Sequence, residues 1–321
     1  METKEDRKKI LIIGIAGGLA RLLARLIHQH NPEVKIIGVD NRTIKDDHQK
    51  DYLTSLKIKY SRGSFEKIFR SNQFDTVYHL GRLGHVSSGQ RQLAKRLNLS
   101  IMGTNHILNM CLENKVRNVI VLSTFHVYGA IPNNSVFLDE SSPLKASIKY
   151  PQLRDVVEVD QLCSSWMWKN KDQINTVILR PCNIIGTTIN NSISQFLKSH
   201  LGIKVIDFNP MFQFIHEYDM ANVLYKCITQ VESGIYNIST NDFIGLNKAQ
   251  KLIGKRSLPI AMSLGSSMNK VLKIFNLHFS EYLIDYFKFS CLIDNSEIKK
   301  QLGDHFWRYS TEETLELIKL G

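Results

Sequence analysis

The segment from Tyr150 to Glu158, YPQLRDVVE, combines a phenol with a guanidinium four residues later, at Arg154. On a helix this spacing places both side chains on one face. A cation close to a phenol favours the phenolate and lowers the phenol's pKa. The segment therefore predicts either acid–base chemistry by Tyr150, with Arg154 as the source of positive charge, or a surface tyrosine beside a surface arginine.

A second candidate site lies near the start of the chain, in LIIGIAGGLA. Gly14, Gly17 and Ala20 follow an apolar run and open a helical pattern. Small residues at these places allow a tight turn, let backbone amides approach a pyrophosphate, and let the helix pack against a sheet. Asp40 ends the next predicted strand and can accept hydrogen bonds from both ribose hydroxyls, which favours NAD. Arg42 could instead accept a phosphate, so NADP stays open.

The elements that must position these residues alternate between short apolar runs and longer helical patterns. The predicted strands are KKILIIG, VKIIGVD, IKYSRG, TVYHLG, NVIVLST and TVILRP, with helices such as GLARLLARLIHQ between them. This order predicts an α/β fold with a Rossmann-like, doubly wound parallel sheet. Residues 1–182 are expected to form the dinucleotide-binding domain, with residues 213–240 returning to it. Residues 183–212 and 241–321 are expected to form a smaller, mostly helical substrate-binding region on the C-terminal side.

The composition and charge of the chain limit the classes of function that are expected for it. The chain has 321 residues, is 43% hydrophobic and carries a formal charge of +11. Its lysines and arginines are spread along the sequence, so no nucleic-acid partner is expected. Its five cysteines lack metal-ligand spacing, so free thiols and no metal site are expected. No apolar run is long enough for stable membrane insertion, no signal peptide is recognised, and a cytoplasmic location is expected.

The segment Lys270–Phe289 mixes aromatic and aliphatic residues with lysines. Such a segment either lies on a membrane surface, or forms the wall of an internal substrate pocket or a helix packed on the core, and the second interpretation is favoured.

Taken in order, the motifs resemble those of the extended short-chain dehydrogenase/reductase family, in its NAD-dependent epimerase/dehydratase branch. The glycine motif is GIAGGLA, with Ala20 in the third place. The other matching segments are DTVYHLG, VLSTFHVYG, LRPCNIIG, FIHEYD and IKKQLGDHFWRYSTEETLEL. The resemblance spans nearly the whole chain.

This resemblance implies a role for each candidate residue. Gly14, Gly17 and Asp40 would hold the dinucleotide. Ser64 and Phe65 would lie beside the adenine and Gly81 near the pyrophosphate, although Ser64 replaces the aspartate usual there. Thr124, Tyr150 and Arg154 would carry out the proton chemistry, with Thr124 orienting the substrate oxygen. Arg154 replaces the usual lysine, which binds the nicotinamide ribose and lowers the pKa of the tyrosine, so Tyr150 and Arg154 are also expected to contact the cofactor. Arginine keeps the positive charge but does not readily release a proton.

On the substrate side, the resemblance assigns binding roles to Asn183 and Phe212. Phe212 stands where nucleotide-sugar enzymes of the family commonly carry a diphosphate-binding arginine. The favoured function is NAD(P)-dependent hydride transfer on a secondary alcohol or ketone of a sugar or sugar nucleotide. The alternatives are a reductase or dehydrogenase of a more apolar, sterol-like or lipid-like substrate, and a catalytically impaired NAD(P)-binding regulatory protein.

The resemblance also implies a homodimer that forms through two helices of each partner. The expected helices lie around residues 100–113 and 154–168. Trp166, Met167 and Trp168 are consecutive, so they cannot all face one side of a helix, and a partner could cover one of them.

Overall fold

The computed structural model describes residues 8–43, 52–81, 90–198, 201–254, 256–260 and 281–320. Its strands are β1 (Lys9–Ile13), β2 (Lys35–Asp40), β3 (Leu53–Lys57), β4 (Thr76–His79), β5 (Asn118–Leu122), β6 (Phe137–Leu138), β7 (Asn175–Pro181), β8 (Asn183–Ile185), β9 (Leu201–Val205), β10 (Met211–Phe212), β11 (Phe214–His216), β12 (Gly234–Ile238), β13 (Ile244–Gly245), β14 (Arg256–Ile260) and β15 (Leu292–Ile293). Its α-helices are α1 (Gly18–His30), α2 (Arg62–Ser71), α3 (Gln90–Glu113), α4 (Ala146–Lys149), α5 (Arg154–Asn170), α6 (Ser192–Lys198), α7 (Glu217–Lys226), α8 (Leu246–Leu252), α9 (Glu281–Tyr286), α10 (Ser296–Leu302) and α11 (Thr311–Leu320).

The chain divides into two compact units. The first contains residues 1–123, 154–180 and 221–236, and the second contains residues 124–153, 181–220 and 237–321. The functional division predicted from the sequence, with its boundary near residue 182, stays a prediction.

A seven-stranded sheet organises the first unit, in the order β12-β7-β5-β4-β1-β2-β3. The pairs from β3 through to β7 are parallel. Strand order reverses between β1 and β4, and such a switch point opens a ligand crevice at the carboxyl ends of the strands. The predicted α/β, Rossmann-like fold is confirmed.

The burial pattern explains why these segments fold in this way. Strand β1 is apolar and almost wholly buried, as expected for a central parallel strand covered on both faces. Helix α1 buries Leu19, Leu23, Leu26 and Ile27, whose spacing forms one apolar face.

One predicted strand was wrong. IKYSRG, residues 58–63, is not a strand, because the strand at this place is β3, which ends at Lys57. Four of the five residues of β3 are exposed at the edge of the sheet, so the apolar pattern that marks central strands is missing there. The chain from Ile58 onwards instead leads into α2, with Ser61 before the first helical residue.

The second unit mixes short helices with four two-stranded sheets: β10 with β13, β8 with β11, β14 with β9, and β15 with β6. Six of these eight strands have only two or three residues, which is too short for an alternating pattern and explains why the sequence does not predict most of them. In the segment Lys270–Phe289, residues 270–280 lie outside the described residues. Tyr282, Leu283, Tyr286 and Phe287 are buried in the described remainder.

In the part of the chain that the structure describes, no helix has the length and apolar composition that a membrane crossing requires.

Candidate functional site

A cavity of about 430 Å³ lies in the first unit, at the carboxyl ends of β1, β2, β4 and β5. Five of the predicted cofactor residues line it, namely Gly14, Gly17, Asp40, Phe65 and Gly81. The other four, Ala20, Ser64, Tyr150 and Arg154, are not among its described lining. Ala20 is buried in α1, and the hydroxyl of Ser64 lies 2.9 Å from that of Ser61.

Gly14 is the position at which the cavity wall requires glycine. Its φ is +94°, a backbone conformation that side chains disfavour. A Cβ atom at Gly14 would lie 2.6 Å from the backbone of Gly81, which follows β4. Two chain segments therefore approach each other closely at the switch point of the sheet.

The amino-terminal end of α1 opens into the same cavity. Gly17 is its N-cap, lines the cavity and supplies no side-chain cap to the helix. Backbone N–H groups in the first turn of a helix lack intrahelical partners and carry the positive end of the helix dipole. The site thus fits a pyrophosphate, which such N–H groups bind.

Asp40 connects the end of β2 to the glycine turn. Its carboxylate accepts hydrogen bonds from the backbone N–H of Ala16 at 3.0 Å and from that of Arg42 at 2.9 Å. The guanidinium of Arg42 adds two further hydrogen bonds, at 3.1 and 3.3 Å. Burial raises the pKa of Asp40, but the hydrogen bonds from Arg42 and Ala16 and the Arg42 charge outweigh it, so the pKa is lowered. Asp40 is therefore a carboxylate at neutral pH.

His79, at the end of β4, forms a polar network in the cavity wall that the sequence analysis does not assign to the site. Its Nε2 lies 3.0 Å from the Tyr60 hydroxyl and 3.1 Å from the Thr104 hydroxyl. Burial lowers the pKa of His79 to about 4. The imidazole is thus neutral at physiological pH. The sequence feature that could have identified His79 as part of the site is the DTVYHLG motif, which contains it.

We expect His79 to make the fold sensitive to acid. Its pKa is about 4 in the folded chain against an ordinary value of 6.5, so between these values the unfolded chain binds the extra proton. The free energy of unfolding therefore falls as the pH drops from 6.5 towards 4, by on the order of 3 kcal/mol from this residue.

The measurement is chemical denaturation at several pH values in this interval. His79→Gln should flatten the slope of unfolding free energy against pH, whatever its effect on stability at pH 7. The exposed histidine His305 offers a matched control. An unchanged slope in His79→Gln would contradict this prediction.

A buried ion pair lies beside the cavity, between β7 and α5. Arg180 donates to both carboxylate oxygens of Asp160, at 3.0 and 2.6 Å. The hydroxyl of Ser123 donates to the same carboxylate at 2.5 Å. Asp160 and Ser123 line the cavity, so this network fixes the wall after β5. Sequence reasoning missed it because the partners are far apart in the chain.

Arg154 begins α5, but its side chain is not among the described lining of the cavity. It is 61% exposed and donates a hydrogen bond to Glu158 at 2.5 Å. Its neighbour Asp155 is buried and does line the cavity.

In the second unit, Tyr150 follows α4 with an extended backbone, at φ −123° and ψ 95°. A 3₁₀ turn, Pro151–Leu153, separates it from α5. The premise that Tyr150 and Arg154 share a helical face was therefore wrong. The physical reason is Pro151, because proline disfavours helical geometry in the residue before it.

The Tyr150 hydroxyl is buried and has no hydrogen-bond partner among the described residues. Buried polar atoms are nearly always hydrogen-bonded, so an unpartnered hydroxyl indicates a missing ligand or water. The Lys149 ammonium lies 5.3 Å from the centre of the Tyr150 ring and forms an ion pair with Asp285 of α9. This pair links the Tyr150 loop to α9.

Aromatic side chains from α9 pack around the same loop. The Tyr282 ring lies 6.3 Å from that of Tyr150 and 5.5 Å from that of His126. Thr124 is buried two residues before His126, and its hydroxyl accepts a hydrogen bond from the His126 backbone at 3.4 Å. Within the second unit, Tyr150 therefore borders an aromatic cluster that also includes His126, two residues after Thr124.

The two predicted substrate residues are both buried in the second unit. Phe212 stacks on Phe214 at 5.8 Å and packs against Phe287 at 6.3 Å. The Asn183 amide donates to the Gln213 backbone at 3.1 Å. Their roles in substrate binding stay predictions.

A family model described as the NAD dependent epimerase/dehydratase family matches residues 10–239, which is more than half of the chain. The chain belongs to this family. The family resemblance inferred from the ordered motifs is confirmed.

Members of the epimerase/dehydratase family and related structures are similar over most of the chain. A dTDP-D-glucose 4,6-dehydratase of Dictyostelium discoideum is 26% identical over 282 residues, covering 79% of this chain and 64% of the relative. The structure of dTDP-glucose 4,6-dehydratase from Bacillus anthracis in complex with NAD has a TM-score of 0.74 and 14% identity, covering 98% and 96% of the two chains. That of UDP-glucose 4-epimerase from Thermotoga maritima with UDP-glucose has a TM-score of 0.74 and 17% identity, covering 97% of each chain. These structures support the same fold.

Three other curated relatives are matched over a smaller share of their length. The chain spans about half, 51%, of the length of three uncharacterised mycobacterial proteins that it matches at 25% identity.

The homodimer expected for an epimerase/dehydratase family member stays a prediction. Trp166 and Met167 are buried against the core of the first unit, whereas Trp168 is 66% exposed. This split agrees with the expectation that three consecutive residues cannot share one helix face.

Proposed function

We propose that the protein is an NAD-dependent oxidoreductase of the epimerase/dehydratase type, acting by hydride transfer on a secondary alcohol or ketone of a sugar nucleotide. The observation that carries the proposal is the cavity in which Gly14, Gly17, Gly81 and Asp40 meet at the switch point of a parallel sheet. Its helix N-terminus suits the pyrophosphate of an adenine dinucleotide, and its carboxylate suits the adenosine ribose.

Three parts of the cofactor have residues of the first unit that would hold them. The pyrophosphate would bind the backbone of the Gly14–Gly17 turn at the start of α1. The adenosine ribose would reach Asp40, and Phe65 would border the adenine. When bound, the nicotinamide accepts or returns a hydride. The Bacillus anthracis structure similar to this chain holds NAD, which supports the assignment.

Proton transfer is assigned to Tyr150. A substrate hydroxyl would supply the partner that the buried Tyr150 hydroxyl lacks among the described residues. Tyr150 would take the proton as the alcohol carbon is oxidised and return it on reduction, while Thr124 would orient the oxygen. The family would supply a lysine where this chain has Arg154, whose guanidinium holds the charge but does not readily pass on a proton.

The substrate class rests on the relatives. The similar proteins are named for dTDP-glucose and UDP-glucose, and the chain's positive charge of +11 suits an anionic substrate. Epimerisation at an alcohol carbon and dehydration next to it can both begin with oxidation to a ketone, so both reactions fit the proposed residues.

The test is to incubate the purified protein with NAD and either UDP-glucose or dTDP-glucose, and to identify the sugar product by NMR. A changed configuration at one carbon would assign an epimerase, and a deoxy keto sugar would assign a dehydratase. Unchanged sugars in both incubations, with NAD bound, would exclude these two substrates.

A reductase or dehydrogenase of a more apolar, sterol-like or lipid-like substrate is the second candidate. The observation in its favour is the aromatic stack of Phe212, Phe214 and Phe287 at the place where the family resemblance would put a diphosphate-binding arginine. Turnover of a sterol or polyprenyl alcohol, with no turnover of either sugar nucleotide, would favour this candidate. Binding of NAD with no turnover of either the sugar nucleotides or the apolar alcohols would favour a catalytically impaired NAD(P)-binding regulatory protein.

We expect Arg154→Lys to change turnover by less than about twofold, because the Arg154 side chain is exposed, binds Glu158 and is not among the described lining of the cavity. Stability should change by less than about 0.5 kcal/mol, since Arg154 is exposed. The measurement is kcat against pH, with Arg62→Lys as the control, because Arg62 forms an equivalent exposed pair with Glu66. A large loss of turnover in Arg154→Lys would instead show a site rebuilt around arginine.

A further inference from the structure

Helix α5 presents one face to the cavity of the first unit, and none of the residues on that face is basic. The residues of α5 that line the cavity are Asp155, Val156, Val159 and Asp160. Their spacing places them within about 140° of one another around the helix axis. Arg154 lies almost opposite, about 170° from the centre of this face. This geometry explains why the Arg154 side chain is exposed and binds Glu158.

The two carboxylates on this face have different surroundings. Both oxygens of Asp160 accept hydrogen bonds from Arg180, and one also accepts from the Ser123 hydroxyl, so its charge is neutralised within the cavity wall. Asp155 is 7% exposed and lines the cavity from the first turn of the helix. The carboxylate of α5 that can act on a ligand in the cavity is therefore Asp155.

The order of the strands indicates which end of a dinucleotide would reach α5. The sheet runs β5-β4-β1-β2, with Gly14 and Gly81 in the middle, after β1 and β4. Asp40 ends β2 on one side, and Ser123 follows β5 on the other, where its hydrogen bond to Asp160 ties α5 to the sheet. Strands β2 and β5 are three strand spacings apart, about 14 Å. With the adenosine ribose at Asp40, the nicotinamide ribose would face α5.

The charge of a nicotinamide ring depends on its oxidation state. The ring is positively charged in NAD and neutral in NADH, so a nearby carboxylate stabilises the oxidised form more and a nearby cation does the opposite. Among the described lining residues, Arg42 is the only lysine or arginine, and it pairs with Asp40 on the adenosine side. The charge on the nicotinamide side of the described lining is therefore negative.

We propose that Asp155 binds the nicotinamide ribose and makes this site prefer the oxidised cofactor, NAD, over NADH. The inference rests on the proposed function, because it assumes that the cavity holds a dinucleotide. The family resemblance implied the cation of Arg154 at this ribose, so the sign of the charge beside the nicotinamide is reversed in this chain.

The experiment measures by calorimetry the Kd of ADP, ADP-ribose, NAD and NADH for the wild type and for Asp155→Asn, both stripped of nucleotide. ADP lacks the second ribose, and its Kd should be the same for both proteins. ADP-ribose should bind Asp155→Asn at least about fivefold more weakly, because charge-assisted hydrogen bonds to the ribose are lost. NAD should lose about three- to tenfold more than that, because it also loses an attraction that NADH does not have. The ratio of the NADH Kd to the NAD Kd should therefore fall in Asp155→Asn.

Two further variants separate the charge of Asp155 from its place in the helix. A carboxylate in the first turn also stabilises a helix through the helix dipole, but that effect does not distinguish NAD from NADH. Asp155→Glu keeps the carboxylate and should keep the preference for NAD. Asp172→Asn removes an exposed carboxylate from the turn that follows α5 and should change none of the Kd values.

The outcomes separate this inference from the proposed function. A ratio of the NADH Kd to the NAD Kd that is unchanged in Asp155→Asn would overturn the role of Asp155. Tighter binding of NADH than of NAD by the wild type would overturn it as well, even if Asp155→Asn does not fold. Both results leave the proposed function intact, since the dinucleotide still binds. Absence of binding of NAD and NADH to the folded wild type would overturn the proposed function and this inference with it.

Discussion

Tyr150→Phe should lower kcat by about 10²–10⁴-fold with the sugar nucleotide that the wild type converts, because it removes the group that exchanges the substrate proton. The affinity for NAD should stay the same, since the proposed dinucleotide residues belong to the first unit and Tyr150 to the second. The measurement is steady-state turnover together with a binding titration of NAD. Wild-type turnover in Tyr150→Phe would remove Tyr150 from the mechanism.

The stability of Tyr150→Phe, unlike its turnover, should hardly change. The Tyr150 hydroxyl has no partner among the described residues, so its removal breaks no known hydrogen bond and should change the unfolding free energy by less than about 0.5 kcal/mol. Tyr236 is the matched control, because it is equally buried but donates to the Glu232 backbone at 3.1 Å. Tyr236→Phe should cost about 1 kcal/mol and leave kcat unchanged.

Gly14→Ala should both destabilise the protein and abolish dinucleotide binding. A side chain at φ +94° costs about 1–2 kcal/mol, and a Cβ atom 2.6 Å from the Gly81 backbone adds about 1–3 kcal/mol of overpacking. The Gly14 and Gly81 segments must then separate, which deforms the cavity wall. Denaturant unfolding and an NAD titration check the two effects.

Gly63 provides the control for this substitution. It lies in the first turn of α2, and a Cβ atom there would meet no atom within 4 Å. Gly63→Ala should be neutral or stabilising by up to about 1 kcal/mol, because alanine favours helix more than glycine does. Equal effects of Gly14→Ala and Gly63→Ala would contradict the special role of Gly14.

The nucleotide half of the site could be predicted from the sequence because its determinants are local. A glycine turn between an apolar strand and an amphipathic helix specifies the backbone that binds a pyrophosphate, and Asp40 follows at the end of the next strand. Edge strand β3 could not be predicted well, because four of its five residues are exposed and its pairing comes from β2.

The parts of the site that could not be predicted from the sequence depend on contacts between residues far apart in the chain. The His79 network needs Tyr60 and Thr104, and the Asp160–Arg180 pair joins α5 to β7. Likewise, spacing alone suggested that Tyr150 and Arg154 share a helical face. Pro151 keeps Tyr150 out of the helix, and the Arg154 guanidinium instead binds Glu158. Arg154 shows that residue type and position can match a family motif while the side-chain partner differs.

The central claim is that the cavity around Gly14 and Asp40 holds a dinucleotide, and equilibrium binding of NAD tests it most directly. The protein should first be stripped of any nucleotide that co-purifies with it, and its folding should be checked by circular dichroism. We predict saturable binding of one NAD per chain, lost in Gly14→Ala and retained in Tyr150→Phe. Folded wild-type protein that binds neither NAD nor NADP would contradict the account.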